Sequence, residues 1–144
     1  MPFIRIWVHL IWSTKNREKL IFPELKLALL NHLKSNAKGK NIWIDTVNCV
    51  DDHVHALISL GAEQSISKVA MLLKGESSHW INKHDLIKMK FEWQDEYIAV
   101  SVSESNIEIV QRYILNQEEH HRKKSFVEEF DEFMKKYGEN IRSK

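Results

Sequence analysis

The chain has 144 residues and carries 21 Lys/Arg against 20 Asp/Glu, which leaves a formal net charge of +1. That length suits one domain with a sizeable core, and we expect a single domain spanning residues 1–144. The lone cysteine, Cys49, excludes an internal disulfide and fits a reducing, cytoplasmic compartment. No apolar run approaches the roughly 20 residues of a membrane span, so we expect no membrane association.

Charge is distributed unevenly along the chain. Residues 1–40 hold eight Lys/Arg and two Glu, an excess of six positive charges, whereas residues 41–63 hold four acidic residues and no basic one. A near-neutral protein with one basic end can present a positive patch to phosphate groups. The alternative is a solvated surface with uneven charge, and charge alone does not separate the two.

The first half of the chain predicts three strands and a helix. Residues 3–12, FIRIWVHLIW, are rich in β-branched and aromatic residues and indicate a strand. Pro23 suits the first position of a helix, and leucines at helical spacing continue it to near Gly39. Residues 41–50 and 53–60 predict two further strands, with the turn residues Asp51 and Asp52 between them.

The second half predicts two helices around a fourth strand. Ser65 is predicted to cap the helix that follows it. Residues 91–103 predict a strand, either straight or bent. Ser105 and Glu108 have the spacing of a capping box for the next helix. That helix is predicted over 106–121, and a last amphipathic segment over 125–138.

The order β-α-β-β-α-β is that of a ferredoxin-like, split βαβ fold. We therefore predict an α+β protein with a mostly antiparallel sheet and two helices on one face. The other face needs a cover, and the helix that begins near residue 105 is the natural candidate.

Two histidines interrupt the third predicted strand. Because side chains alternate across a strand, His53 and His55 share one face, while the apolar Val54, Ala56 and Ile58 share the other. Histidines at positions i and i+2 lie roughly 6 to 7 Å apart at the backbone, close enough to bind one cation. The alternative is a pair of partly exposed histidines on an open sheet face.

Tyr113 and Gln117 are four residues apart and therefore lie on one face of the predicted third helix. A tyrosine hydroxyl can attack phosphorus when a metal neutralises the phosphate oxygens, and a carboxamide oxygen can join two histidines as a third ligand. The alternatives are an aromatic residue at the edge of the core and a polar surface residue.

Several stretches together resemble a known family. DDHVHALIS, WQDEYIAVSVSESN and YILNQEEHHRKKSF, in this order and spacing, resemble the single-strand DNA transposases of the HUH superfamily. These are the small tyrosine transposases of bacterial and archaeal insertion sequences. The likeness extends to VHLIWSTKNR near the start and LLKGESSHWIN in the middle, and so covers nearly the whole chain.

The resemblance implies an enzyme that cleaves and rejoins single-stranded DNA at the ends of an insertion sequence. Tyr113 would be the nucleophile that forms a covalent 5′-phosphotyrosine bond, and His53, His55 and Gln117 would be the metal ligands. The implied cofactor is Mg²⁺ or Mn²⁺, although imidazole better suits Zn, Cu, Fe or Ni. The implied partners are DNA hairpins near the element's ends and a second copy of the chain, with the tyrosine helix acting in cis or completing the partner's site.

Basic residues that flank these motifs are candidates for phosphate contacts. They are Lys15, Arg17, Arg122, Lys123 and Lys124.

Two alternatives remain at this point. A domesticated relative would keep the same chemistry but process dispersed genomic hairpins, and DNA flanking the gene would distinguish it from a mobile element. A non-catalytic single-strand or RNA binder would use aromatic residues on the open sheet face. His53, His55 and Leu57 on that face disfavour this second alternative.

Overall fold

The structure, a computed structural model, describes residues 3–119 and residue 128. The strands are β1 (Ile6–Ser13), β2 (Trp43–Cys49), β3 (His53–Leu60) and β4 (Ile98–Val102). The α-helices are α1 (Pro23–Gly39), α2 (Ile66–Lys83) and α3 (Ile107–Leu115), and short 3₁₀ helices cover Lys15–Arg17 and Glu104–Asn106. Within these described ranges, no helix is long and apolar enough to cross a membrane.

The four strands form one antiparallel sheet in the order β2-β3-β1-β4. The two central strands are thus β3 and β1, and their register places His55 opposite Ile11 and His53 opposite Ser13. This arrangement confirms the predicted α+β, ferredoxin-like fold. The strand that carries the histidine pair lies in the interior of the sheet, where both of its edges are hydrogen-bonded.

One face of the sheet packs against α1 and α2 and contains the larger core. Val54, Ala56 and Ile58 of β3 are fully buried there, as the alternation of side chains predicts. Ser65 caps α2, because its hydroxyl accepts a hydrogen bond from the Lys68 backbone N–H at 3.2 Å.

Helix α3 covers the other face of the sheet. A second, smaller core forms between them from Trp7, Leu57 and Ile114, with partly buried apolar residues of α3 and β4 around it. The indole Nε1 of Trp7 also donates a hydrogen bond to the Glu104 carboxylate at 2.8 Å, which ties the turn before α3 to β1. The expected cover for this face is therefore confirmed.

The predicted fourth strand over 91–103 is too long, because regular pairing occurs only in β4. Residue Trp93 makes an isolated bridge to Thr14, and the chain then leaves the sheet. The ammonium of Lys74 on α2 donates a hydrogen bond to the Asp95 carbonyl at 2.7 Å, which satisfies a backbone group that the sheet no longer pairs.

The predicted capping box of Ser105 and Glu108 is wrong. Ser105 lies within a 3₁₀ helix, and α3 begins after Asn106, whose side chain makes no capping hydrogen bond. The hydroxyl of Ser105 lies 3.3 Å from that of Ser103 instead. The predicted amphipathic segment 125–138 lies outside the described residues, apart from Glu128.

Candidate active site

His53 and His55 are fully buried on the face of β3 that α3 covers. Their side chains are respectively 0% and 1% exposed, and their ring centroids lie 5.0 Å apart. The alternative of two partly exposed histidines is wrong, because the helix and its apolar contacts exclude solvent from this face. Two imidazoles in such a place are costly unless polar groups satisfy them.

Each of the two rings makes a hydrogen bond through Nδ1. Nδ1 of His53 lies 2.7 Å from Oδ1 of the buried Asp52, and Nδ1 of His55 lies 2.9 Å from Nε2 of His9 on β1. Because a carboxylate only accepts hydrogen bonds, His53 donates from Nδ1 when Asp52 is ionised. Nε2 of His53 then carries the lone pair and could coordinate a cation, and Nε2 of His55 could do so if that ring donates from Nδ1 to His9.

Tyr113 lies beside the histidines on α3. Its half-buried ring is 5.7 Å from the ring of His55 and 6.0 Å from that of His9, measured between centroids, and both contacts are edge-on. Helix α3 therefore brings the predicted nucleophile to the predicted metal ligands within one chain.

Helix α3 ends at Leu115, so the helix predicted over 106–121 is interrupted at Asn116, and Gln117 lies just beyond this break. Gln117 is fully buried, so its interpretation as a polar surface residue is wrong. Its Nε2 donates a hydrogen bond to the Tyr113 carbonyl at 3.2 Å. Its Oε1 is also buried and makes no hydrogen bond in the described part of the chain. A buried carboxamide oxygen without a donor costs free energy, and a bound water or cation is one way in which native structures satisfy such a group.

These donors fit a divalent cation. Among residues 3–119 and 128, no three His, Cys, Asp or Glu side chains cluster as a metal site. A ligand of another type would complete the set, and the buried Oε1 of Gln117 has the right chemistry for one. Two imidazole nitrogens and one amide oxygen would leave positions for water and a phosphate oxygen.

Polar contacts from the sheet hold α3 in place. The Asn48 side chain donates hydrogen bonds to the carbonyls of Ile114 at 3.0 Å and Leu115 at 3.2 Å. Nearer the start of the helix, Gln111 donates to the Asp45 carboxylate at 2.7 Å. These contacts satisfy orphan carbonyls at the helix end and place the helix over its own sheet.

Comparison with known proteins identifies the family. A family model described as "Transposase IS200 like" matches residues 3–117, which is most of the chain and includes all four residues predicted for the site. The chain belongs to the IS200-like transposase family. It is accordingly an enzyme, a DNA transposase, and the resemblance to tyrosine transposases is confirmed.

Curated relatives of this IS200-like transposase include two from bacteria. The chain is 30% identical over 114 residues to the ISDra2 transposase TnpA of Deinococcus radiodurans, covering 76% of this chain and 81% of that protein. It is 27% identical over 114 residues to the transposase for insertion sequence element IS200 of Salmonella typhimurium, covering 76% of this chain and 74% of that protein.

Solved structures have the same fold as this IS200-like transposase. A Deinococcus radiodurans R1 protein assigned as a transposase superposes with a TM-score of 0.65 at 26% identity, covering 81% of this chain and 93% of that one. A REP-associated tyrosine transposase bound to a REP hairpin superposes with a TM-score of 0.64 at 15% identity, covering 84% and 72%. The second likeness concerns the fold alone.

Two of the predicted phosphate contacts lie in the described part of this IS200-like transposase. Lys15 and Arg17 are exposed in the 3₁₀ helix after β1, next to the Thr14 backbone N–H that donates to the Asp52 carbonyl at 2.8 Å. The ammonium of Lys15 lies 3.0 Å from the Glu92 carboxylate, and this bond raises the pKa of Lys15. The remaining candidates, Arg122, Lys123 and Lys124, lie outside the described residues.

Three residues at this site of the IS200-like transposase were not predicted from the sequence. Asp52 was interpreted only as a turn residue, and Asn48 and His9 only as members of strands. A polar residue in the apolar strand IWVHLIW was the available signal for His9, by the same logic that singles out His53 and His55. Its partner depends on the register of β1 against β3, which the sequence of either strand alone does not contain.

Proposed function

We propose that this transposase cleaves and rejoins single-stranded DNA at insertion-sequence ends through a covalent 5′-phosphotyrosine bond to Tyr113. The observation that carries the proposal is the position of Tyr113, whose ring lies 5.7 Å from that of the buried His55. A tyrosine side chain next to two buried imidazoles has surroundings that suit attack on a phosphodiester.

His53, His55 and Gln117 would hold a divalent cation, Mg²⁺ or Mn²⁺, through two Nε2 atoms and Oε1. When bound, the cation would neutralise charge on the non-bridging oxygens of the scissile phosphate. The Nδ1 contacts of the two rings support this role, because they keep both rings in fixed orientations.

The reaction exchanges one phosphodiester for another. The Oη atom of Tyr113 forms a bond to phosphorus in line with the leaving oxygen, the bond from phosphorus to O3′ breaks, and the freed O3′ takes up a proton. The tyrosine proton passes to solvent. Because the phosphotyrosine bond retains the energy of the original diester, a 3′-hydroxyl from another strand can reverse the step and join new ends.

The proposed DNA substrate is a single strand with a hairpin nearby. The likeness in fold to a transposase solved with a REP hairpin supports this choice. Lys15 and Arg17 support it as well, because the loop that carries them starts at the Thr14–Asp52 hydrogen bond beside His53. Arg122, Lys123 and Lys124 are proposed as further phosphate contacts in the basic stretch after the tyrosine helix.

The non-catalytic binder is less well supported. Binding of bases on a ferredoxin-like sheet uses exposed aromatic residues on an open face. Here α3 covers that face, and Trp7 on it is buried against Leu57 and Ile114.

A covalent-adduct assay tests the proposed function. A hairpin-bearing single strand labelled at its 3′ end should become attached to the wild-type protein when Mn²⁺ is present, and denaturing electrophoresis should resolve the adduct. Tyr113→Phe should abolish the adduct and keep hairpin binding within a few fold, because the hydroxyl acts only as the nucleophile. Tyr97→Phe is the matched control and should form the adduct normally. An adduct that persists in Tyr113→Phe and maps to another tyrosine would contradict the assignment.

A further inference from the structure

His9 is a buried histidine next to the proposed metal ligands. It lies in the middle of β1, is 4% exposed, and faces the same side of the sheet as His55. Nε2 of His9 is 2.9 Å from Nδ1 of His55, and the ring centroids are 5.1 Å apart. This distance is that of a normal hydrogen bond between two nitrogens.

A hydrogen bond between two neutral imidazoles requires one N–H and one lone pair. If His9 donates, Nδ1 of His55 carries the lone pair and its Nε2 carries the proton, so Nε2 cannot coordinate a cation. If His55 donates from Nδ1, its Nε2 carries the lone pair and can coordinate. Only the second arrangement is compatible with His55 as a metal ligand through Nε2.

We propose that His9 is a positioning residue, which accepts a hydrogen bond from Nδ1–H of His55 and fixes the tautomer and ring orientation in which Nε2 binds the cation. This inference rests on the proposed metal site. His9 itself would not be a ligand of the same ion, because Nδ1 and Nε2 of one imidazole point to opposite sides of the ring. A residue bonded to Nδ1 of His55 therefore lies away from an ion at its Nε2.

The two proposed ligands are thus oriented by different acceptors. His53 has the carboxylate of Asp52 at its Nδ1, whereas His55 has the imidazole nitrogen of His9. In this arrangement, Nδ1–H of His55 needs a hydrogen-bond acceptor at the position of His9 Nε2. Glutamine can place its amide oxygen near that position, whereas leucine fills similar space without an acceptor.

Manganese binding provides the first test. Full-length wild type, His9→Leu and His9→Gln would be titrated with Mn²⁺, with free Mn²⁺ measured by electron paramagnetic resonance. Loss of the hydrogen-bond partner of a metal-bound histidine typically weakens affinity about 10- to 100-fold, so His9→Leu should weaken binding by that factor. His9→Gln should bind within about threefold of wild type. Exchange of an exposed histidine, His79→Leu, is the matched control and should leave binding unchanged.

The tautomer of His55 in metal-free wild-type protein provides the second test. Nitrogen-15 NMR of the ring should show the proton of His55 on Nδ1 and that of His9 also on Nδ1. A proton on Nε2 of His55 would overturn the inference, and this measurement decides the matter if His9→Leu fails to fold.

Tight binding of Mn²⁺ by both wild type and His9→Leu would overturn the inference alone. No binding by wild type would overturn the proposed metal site and the inference together.

Discussion

The side-chain amide of Asn48 donates hydrogen bonds to the carbonyls of Ile114 at 3.0 Å and Leu115 at 3.2 Å, at the end of the helix that carries Tyr113. Asn48 lies opposite His55 in the register of β2 and β3. The strand next to the histidine pair thus binds the end of the tyrosine helix directly. In this arrangement one chain contains the nucleophile and the proposed metal ligands together.

We therefore expect each active site to draw its residues from one chain, even in a homodimer. When Tyr113→Phe and His53→Ala chains are mixed, every cis site carries one of the two defects, so cleavage of the hairpin substrate should not recover. Cleavage would be measured against each variant alone, after heterodimers have been shown to form. Recovery in the mixture would show that α3 crosses to the partner, since one of the two composite sites would then carry neither defect.

His53→Ala and His55→Ala should each abolish Mn²⁺-dependent cleavage and leave the protein folded, because Val54, Ala56 and Ile58 keep the other face of β3 packed. Because both imidazoles are fully buried, the free energy of unfolding measured by urea denaturation should still fall by about 1–3 kcal/mol. The larger loss should occur in His53→Ala, which leaves the buried Asp52 carboxylate without this hydrogen bond.

Cys49 reports whether these variants are folded. Its side chain is fully buried, and burial raises the pKa of its thiol to about 12. Iodoacetamide should therefore label it only after unfolding, in wild type, in both variants and in the exposed control His79→Ala. Rapid labelling of His53→Ala or His55→Ala without denaturant would mean that the histidines mainly support the fold.

Gln117→Leu should lower Mn²⁺ affinity and cleavage without lowering the free energy of unfolding. Leucine removes a buried Oε1 that makes no hydrogen bond in the described structure, and relief of such a group is worth about 1–3 kcal/mol. We expect unfolding in urea to need the same or more denaturant, while Mn²⁺ affinity and cleavage fall. Gln111→Leu, on α3, should retain Mn²⁺ binding. A large loss of stability with Mn²⁺ affinity intact would show that Gln117 serves packing instead.

Local patterns predicted much of the fold. Strand β3 and helix α1 have the bounds expected from their alternation and from Pro23. The cover of the second sheet face was also predicted, since the split βαβ order places two helices on one face and leaves the other for a further element. The capping box failed because the turn before α3 is fixed by a distant contact, Trp7 with Glu104, which no local spacing encodes.

Sequence spacing predicted that the chain-adjacent candidate residues lie together, whereas contacts between different strands could not be predicted from it. His53 and His55 are two residues apart on one strand, and Tyr113 and Gln117 are four apart and joined by a hydrogen bond from Gln117 to the Tyr113 carbonyl, so local spacing is enough to pair them. The contact of His9 with His55 joins residues 46 positions apart and depends on the register of two strands. Such contacts follow from the assembled sheet and not from either segment alone.

The two faces of β3 impose different demands on successive residues. Substitutions at Val54, Ala56 and Ile58 disturb the packing against α1 and α2, whereas substitutions at His53 and His55 disturb the proposed chemistry. In a saturation-mutagenesis library scored for both cellular abundance and transposition, residues 53–56 of β3 should show effects that alternate from residue to residue, whereas Leu57, buried in the smaller core, should also be sensitive in abundance. Abundance would fall most at the even-numbered positions, and transposition per molecule of folded protein would fall most at the two histidines.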